Sequence, residues 1–285
     1  MRVNDSTNGL ANGSATAVQG VLTYLMAGQA RPRNYADDPP PGEPQSTAQY
    51  EERTVAIRSL RQEPGRFSVD REGFQFATAP SSFRSFADRD AIEEGYYAEA
   101  ERVVAELTGA SDVLVFDHTV RRRTPGNSRG TSATPRSPVH RVHVDFTAAS
   151  GPRRAREILG DANQELLNKR FAVINVWRPI RGPLQDSPLA VSDAQSVAFD
   201  DLVATDLVYP DRVGEFYTVK FRPSHRWFYA PRMTPDEVLL LKCFDSEESG
   251  VARFAPHTAF ADPTAPADAL PRESIEVRTL AFFDA

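Results

Sequence analysis

The chain carries seven short runs of β-branched, aromatic and aliphatic residues bounded by turn formers: DVLVFDHTV, HRVHVDFTA, RFAVINVWRPI, GEFYTVKF, HRWFYAP, EVLLLKCFD and SIEVRTLAFF. Runs of this length and composition predict β-strands. Within KFRPSHRWFY the Arg-Pro-Ser triplet predicts the turn of a hairpin, across which Tyr217, Trp227 and Tyr229 would pack. Helical spacing is rarer. In DRDAIEEGYYAEAERVVAELTG, Ile92, Tyr96, Val103 and Leu107 recur at helical intervals, an Asp stands near the start and Gly109 marks the stop. Ser150 is placed to cap a helix over GPRRAREILG, and DANQELLNKR continues as a second short helix. Helices early and strands late predict a mainly β (α+β) chain, a sandwich or jelly-roll core with flanking helices rather than alternating βαβ units. No repeat of fixed period is visible.

Two segments break the pattern. ARPRNYADDPPPGEPQSTAQ is rich in Pro and polar residues and reads as an arm over the surface. Residues 1–285 are therefore expected to form a single domain, with 1–50 as an N-terminal extension and 110–285 as the β core with helical insertions. RRRTPGNSRGTSATPRSPVH is a Gly/Ser/Thr/Pro loop leading into HRVHVDF; a loop of about twenty residues is uncommon inside a domain and fits a lid or a connector.

Composition narrows the function classes. At 285 residues and 40% apolar content the chain can bury a substantial core. Its net charge of -6 argues against a general nucleic-acid or anionic-membrane binder, which needs a basic face. No run approaches the roughly 20 apolar residues of a membrane span, and the N-terminus lacks the basic segment of a signal peptide. The single cysteine, Cys243, excludes an internal disulfide framework; it fits a buried, inert thiol in a reducing, cytoplasmic setting. Arginine outnumbers lysine 30 to 3, so no single arginine is informative by its presence alone.

Residues two apart on a strand share a face, so His143 and Asp145 of HRVHVDF project together while Val142 and Val144 pack behind them. A third ligand is available in His257 of PHTAF. Two histidines and one carboxylate leave three positions of an octahedron open, the arrangement of non-haem Fe(II) oxygenases. With five histidines in the chain and aspartate abundant, an H-x-D motif is weak by itself. A second signal lies fifteen residues beyond His257, where Arg272 and Ser274 of PRESIEV share one strand face. A guanidinium fork beside a hydroxyl suits one end of a small dicarboxylate.

The strings HRVHVDFT, FAVINVWRPIRGPLQDSPLAVSD, PDEVLLLKCFDS with PHTAF, and PRESIEVRTLAFF follow in order over roughly the last 190 residues. Together they resemble the gibberellin desaturase-like and cephamycin methoxylase-subunit-like oxygenases of fungal and bacterial secondary metabolism. The resemblance implies a double-stranded β-helix (jelly-roll, cupin-like) fold. It also implies an Fe(II)/2-oxoglutarate-dependent dioxygenase that uses O2 to hydroxylate, desaturate or cyclise a small organic intermediate, releasing succinate and CO2. It makes His143, Asp145 and His257 the iron ligands and Arg272 with Ser274 the 2-oxoglutarate anchor. Arg278 is the rival anchor; it shares a face with Arg272, but six strand residues span about 20 Å, too far for both to grip one carboxylate easily.

The expected partner is a small organic substrate, with no nucleic acid and no membrane; assembly as a homodimer stays open. His118 and Arg121 of VFDHTVRRR, Asn175, Trp177 and Arg178 of NVWRPI, and Tyr229 are the further pocket candidates. The bland alternative for each is structural hydrogen bonding or core packing. His140, facing away from His143, and His225 read as structural. Two rival functions remain: a Zn-dependent jelly-roll hydrolase or isomerase, which would leave Arg272 and Ser274 without a task, and a catalytically inactive accessory subunit.

Overall fold

Strands β7 (Arg170–Pro179) and β12 (Glu237–Asp245) are apolar with little alternation because both of their faces are covered. The computed structural model describes residues 16–29, 31–123 and 136–284. In it these two strands lie within a five-stranded sheet ordered β4 (Phe74–Thr78), β12, β7, β14 (Glu273–Phe283) and β5 (Asp112–Arg122). One face of this sheet presents Val173, Trp177, Leu239, Leu241, Leu280 and Phe282 to Val144, Val191, Tyr217 and Phe228 of a second sheet. The other face packs Ile174, Val176, Val238, Leu240 and Val277 under Ile92, Val103 and Val104 of helices α1 (Arg89–Gly95) and α2 (Tyr97–Thr108).

The second sheet has nine strands in the order β1 (Ala17–Leu25), β3 (Tyr50–Ser59), β11 (Trp227–Tyr229), β8 (Leu189–Ser192), β13 (His257–Ala259), β6 (His143–Val144), β10 (Val213–Val219), β9 (Leu202–Val208) and β2 (Arg33–Tyr35). Its far face holds a separate apolar cluster of Leu22, Tyr24, Ile57, Val219, Trp227, Tyr229 and Phe260. The sheet curls over that cluster, since Thr23 and Leu25 of β1 also bridge to Arg141 and Lys220. This is the expected jelly-roll core with flanking helices. Among the described residues no helix is long and apolar enough to cross a membrane.

Five local expectations change. The hairpin is absent. Arg-Pro-Ser does turn, with the His225 amide donating to the Arg222 carbonyl at 3.2 Å. However, β10 pairs with β6 and β9 while β11 pairs with β3 and β8. Anchors on either side of the turn hold the strands apart: Arg222 and His225 both bind Asp201, and the Trp227 indole donates to the Tyr24 hydroxyl at 2.7 Å.

The first 78 residues supply β1, β2, β3 and β4 to the two sheets, so the strands do not begin at residue 110. In β1 the buried face runs Val18, Gly20, Leu22, Tyr24; the glycine conceals the alternation, and a Cβ there would stand 2.5 Å from Ile57 Cδ1 and 3.0 Å from the Phe260 ring, so a larger residue would have to displace them. Of the Pro-rich arm only Arg33–Tyr35 joins a sheet, and much of the rest is exposed. The loop expected as a lid falls, for residues 124–135, outside the described residues.

The long helix is two, α1 capped by the Asp88 carboxylate and α2 ended by Gly109 at φ 75°. The turn entering helix α3 (Ser150–Leu159) is held by the Thr147 side chain, Ser150 being the first helical residue and not the cap. The Thr147 hydroxyl accepts from the amides of Ala149 and Ser150 at 3.2 and 3.0 Å, and Ser150 Oγ accepts from the Thr147 amide at 2.8 Å. The last expected helix, DANQELLNKR, is 3-10 turns over Asp161–Asn168.

Gly151 brings α3 against β12, where an added Cβ would lie 2.5 Å from the Phe244 ring. Gly→Ala in an exposed helix normally stabilises by about 1 kcal/mol. Gly151→Ala is expected instead to destabilise by about 1–3 kcal/mol through overpacking, read as a lower Tm in thermal melts; an unchanged or higher Tm contradicts the contact.

Candidate active site

Strands β13 and β6 are antiparallel neighbours, with His257 directly opposite His143. The two imidazole centroids are 4.4 Å apart. Asp145 follows β6 immediately, and its Oδ1 stands 3.5 Å from His143 Nε2 and 3.9 Å from His257 Nε2. Each ring is turned by its other nitrogen: His143 Nδ1 donates to the Arg141 carbonyl at 2.8 Å, and His257 Nδ1 to the Ala255 carbonyl at 3.1 Å. Because carbonyls only accept, Nδ1 carries a proton in both rings and Nε2 of each faces Asp145. Burial, and then the neighbouring His143, lower the pKa of His257 to about 4, so this ring is neutral at ordinary pH.

Asp145 Oδ2 accepts from Asn175 Nδ2 at 2.9 Å and from Arg278 Nε at 3.1 Å. Burial opposes ionisation, but the Arg278 guanidinium holds this carboxyl well below the usual carboxylate range. His257 Nε2 is buried with no hydrogen-bond partner among the described residues. Three ligand atoms lying within 4.8 Å of one another, two imidazole nitrogens and a carboxylate oxygen, are a donor set suited to a divalent metal. A two-histidine, one-carboxylate set fits ferrous iron.

Beside the triad a narrow cavity is lined by Arg121, His143, His257, Arg272 and Glu276, among others. Residues 272, 274, 276 and 278 alternate onto the inner face along β14 and its entry. Arg272 is 2% exposed. Its Nε donates to Ser274 Oγ at 2.9 Å, an NH2 group donates to the Ser187 carbonyl at 2.9 Å, and the guanidinium lies 4.9 Å from the Trp177 ring centre. Among the described residues it pairs with no carboxylate, and burial followed by the charge of Arg121 lowers its pKa to about 9. Arg278, in contrast, is fully engaged: besides Asp145 it bonds Glu276 at 2.6 Å, Thr119 at 3.0 Å and Asp117 at 3.4 Å.

A family model described as an oxidoreductase/YMDC permease-like domain matches residues 22–282. The hydroxylase/desaturase efuI of Hormonema carpetanum is 35% identical over 256 residues, 82% of this chain and 85% of its own. The Fe(II)/2-oxoglutarate-dependent dioxygenase nvfI of Aspergillus novofumigatus is 32% identical over 279 residues, 95% of this chain and 98% of its own. The solved structure of the iron and alpha-ketoglutarate-dependent endoperoxidase NvfI matches with TM-score 0.86 at 29% identity, over 95% of this chain and 100% of that one. The chain belongs to the Fe(II)/2-oxoglutarate-dependent oxygenases.

As such an oxygenase the protein uses Fe(II), 2-oxoglutarate and O2. Its relatives favour this chemistry over a zinc hydrolase or an inactive accessory subunit.

The remaining candidates of the oxygenase divide. Asn175, Trp177 and Arg121 reach the site. Asn175 does so by holding Asp145, and its Oδ1, like Trp177 Nε1, is buried without a partner among the described residues. His118, Arg178 and Tyr229 do not reach it. A β-bulge explains His118: Arg278 pairs with Asp117 but Thr279 with Val115, leaving Phe116 unpaired. The extra residue turns Asp117, Thr119 and Arg121 inward and His118 outward, where its Nδ1 meets the Tyr97 hydroxyl at 2.8 Å. Arg178 points to the helical side, bonding the Pro235 carbonyl at 2.7 Å and Glu99 at 3.3 Å. Tyr229 packs edge-on to Phe260 in the far cluster. Asp117, Thr119 and Ser187 escaped sequence reasoning; only the first two left a trace, the two-residue spacing 117, 119, 121.

Cys243 is fully buried, and burial together with the negative charges of Asp145 and Glu276 pushes its thiol well up from its ordinary value. Ellman's reagent at pH 8 is expected to find no reactive thiol in the native oxygenase and one after denaturation; rapid native labelling contradicts the packing.

Proposed function

We propose that His143, Asp145 and His257 hold Fe(II), and that Arg272 with Ser274 binds the far carboxylate of 2-oxoglutarate. The observation that carries this reading is the convergence of the two Nε2 atoms and one carboxylate oxygen within 4.8 Å of one another, His257 Nε2 having no hydrogen-bond partner among the described residues. When bound, the iron supplies the oxidation: O2 and 2-oxoglutarate are consumed, succinate and CO2 are released, and a C–H bond of a small organic substrate is hydroxylated, desaturated or drawn into ring closure.

The chain's own residues orient and exclude. The Arg141 and Ala255 carbonyls keep both imidazoles in one tautomer. Asn175 and Arg278 occupy Oδ2 of Asp145, so Oδ1 is the oxygen that would hold the metal. Arg278 is a positioning residue, and its commitment to Asp145 and Glu276 favours Arg272 as the anchor. Trp177 supports the Arg272 guanidinium from its face. A small organic substrate, without nucleic acid or membrane, in a cytoplasmic enzyme completes the reading; the acidic net charge and the reduced, buried thiol support that setting.

Anaerobic titration with Fe(II) and 2-oxoglutarate tests it. The unmodified oxygenase is expected to give a weak visible charge-transfer band and His143→Ala none. Arg272→Ala should raise the 2-oxoglutarate needed by on the order of 100-fold, because a buried charged partner is lost. Arg278→Gln should weaken Fe(II) binding by about 10- to 100-fold, the usual effect of removing a group that orients a ligand. A normal band in His143→Ala, or normal 2-oxoglutarate binding in Arg272→Ala with loss in Arg278→Gln, overturns the respective assignment.

A further inference from the structure

We propose that Arg121 is a second guanidinium for the far carboxylate and sets the preference for a dicarboxylate 2-oxo acid; this rests on the reading of Arg272 above. Arg121 reaches the cavity because of the bulge at Phe116, which turns residues 117, 119 and 121 inward. It stands directly across the β5–β14 ladder from Ser274 and lines the same cavity as Arg272, His143 and His257. One bond is accounted for: a terminal NH2 group donates to the Ser137 carbonyl at 3.0 Å. Like Arg272, it pairs with no carboxylate among the described residues.

The cavity therefore holds two guanidiniums that no carboxylate pairs with directly among the described residues, Glu276 acting on both only at longer range. The one carboxylate that lines it, Glu276, is drawn to Arg278 at 2.6 Å. The proximity of Arg121 also lowers the pKa of Arg272, as two like charges in one enclosed space must. Such an arrangement is costly until an anion enters. A carboxylate has two oxygens and about four lone-pair sites, enough to accept from Arg272, Ser274 and Arg121 together. The free α-keto acid end would then be directed at the triad. A 2-oxo acid lacking the far carboxylate would leave both guanidiniums unneutralised, so the second cation contributes to selectivity as well as to affinity. The rival explanation is that Arg121 only holds the chain at Ser137.

The test uses the full-length, Fe(II)-loaded protein under anaerobic conditions, following the charge-transfer band on titration with 2-oxoglutarate or with 2-oxobutyrate, which has no far carboxylate. Arg121→Gln is expected to weaken 2-oxoglutarate about 10- to 100-fold, while 2-oxobutyrate, already weak, changes by less than about threefold. Arg121→Lys, which keeps a charge without the fork, should restore part of the preference. Equal loss for both acids, or no loss for either, assigns Arg121 a structural role and overturns the proposal. Arg272→Ala is the control: if it leaves 2-oxoglutarate binding intact, the anchor reading fails, whereas loss in Arg272→Ala without loss in Arg121→Gln defeats only the second guanidinium.

Discussion

Two imidazole nitrogens and a carboxylate oxygen brought together at one buried point carry a desolvation cost that a bound cation offsets. The structure maintains that arrangement through the pairing of His257 with His143 across β13 and β6. A one-residue slip would turn one histidine to the opposite face. Both strands are very short, so their register depends on the backbone bonds around them: Ser192 to the Pro256 carbonyl, Ala259 to the Val139 carbonyl and Val142 to the Thr23 carbonyl. The last of these comes from β1, which links the N-terminal strand to the position of the triad.

The inner face of β14 is the second constraint. Arg272, Ser274, Glu276 and Arg278 are polar groups at positions where the same strand, further on, buries Leu280 and Phe282. Burying such groups is tolerated only with partners. Arg278 has four, and through it the chain of Glu276, Thr119 and Asp117 reaches Asp145. Arg272 has a hydroxyl, a carbonyl and an aromatic face but, among the described residues, no carboxylate. One strand thus carries both a satisfied cation that orients a candidate metal ligand and an unsatisfied one suited to an incoming anion. Apolar packing on both sides of the five-stranded sheet holds these groups rigid.

The parts of the site legible beforehand were those governed by local periodicity. His143 and Asp145 share a face because they are two residues apart, and Arg272 and Ser274 for the same reason. His118 was misplaced by the same rule, because a single unpaired residue, Phe116, reverses the alternation of β5 and no composition signal marks it. Arg178 behaved as alternation requires, facing opposite to Asn175 and Trp177, and so belongs to the helix-packed side. The hairpin failed although its turn formed, because a turn determines chain reversal over four residues and not which strand lies alongside.

The sequence by itself determined the main strands, the mainly β character, the helix stop at Gly109 and the two polar pairs on shared faces, all of which follow from spacing within one segment. Tertiary structure alone decided that His257 meets His143, that Arg121 stands across from Ser274, and that Arg278 turns to Asp145 instead of the cavity. Those outcomes depend on sheet order and register between segments up to about 160 residues apart. The energy that selects them comes from burial shared over both sheets, which no short stretch of residues expresses.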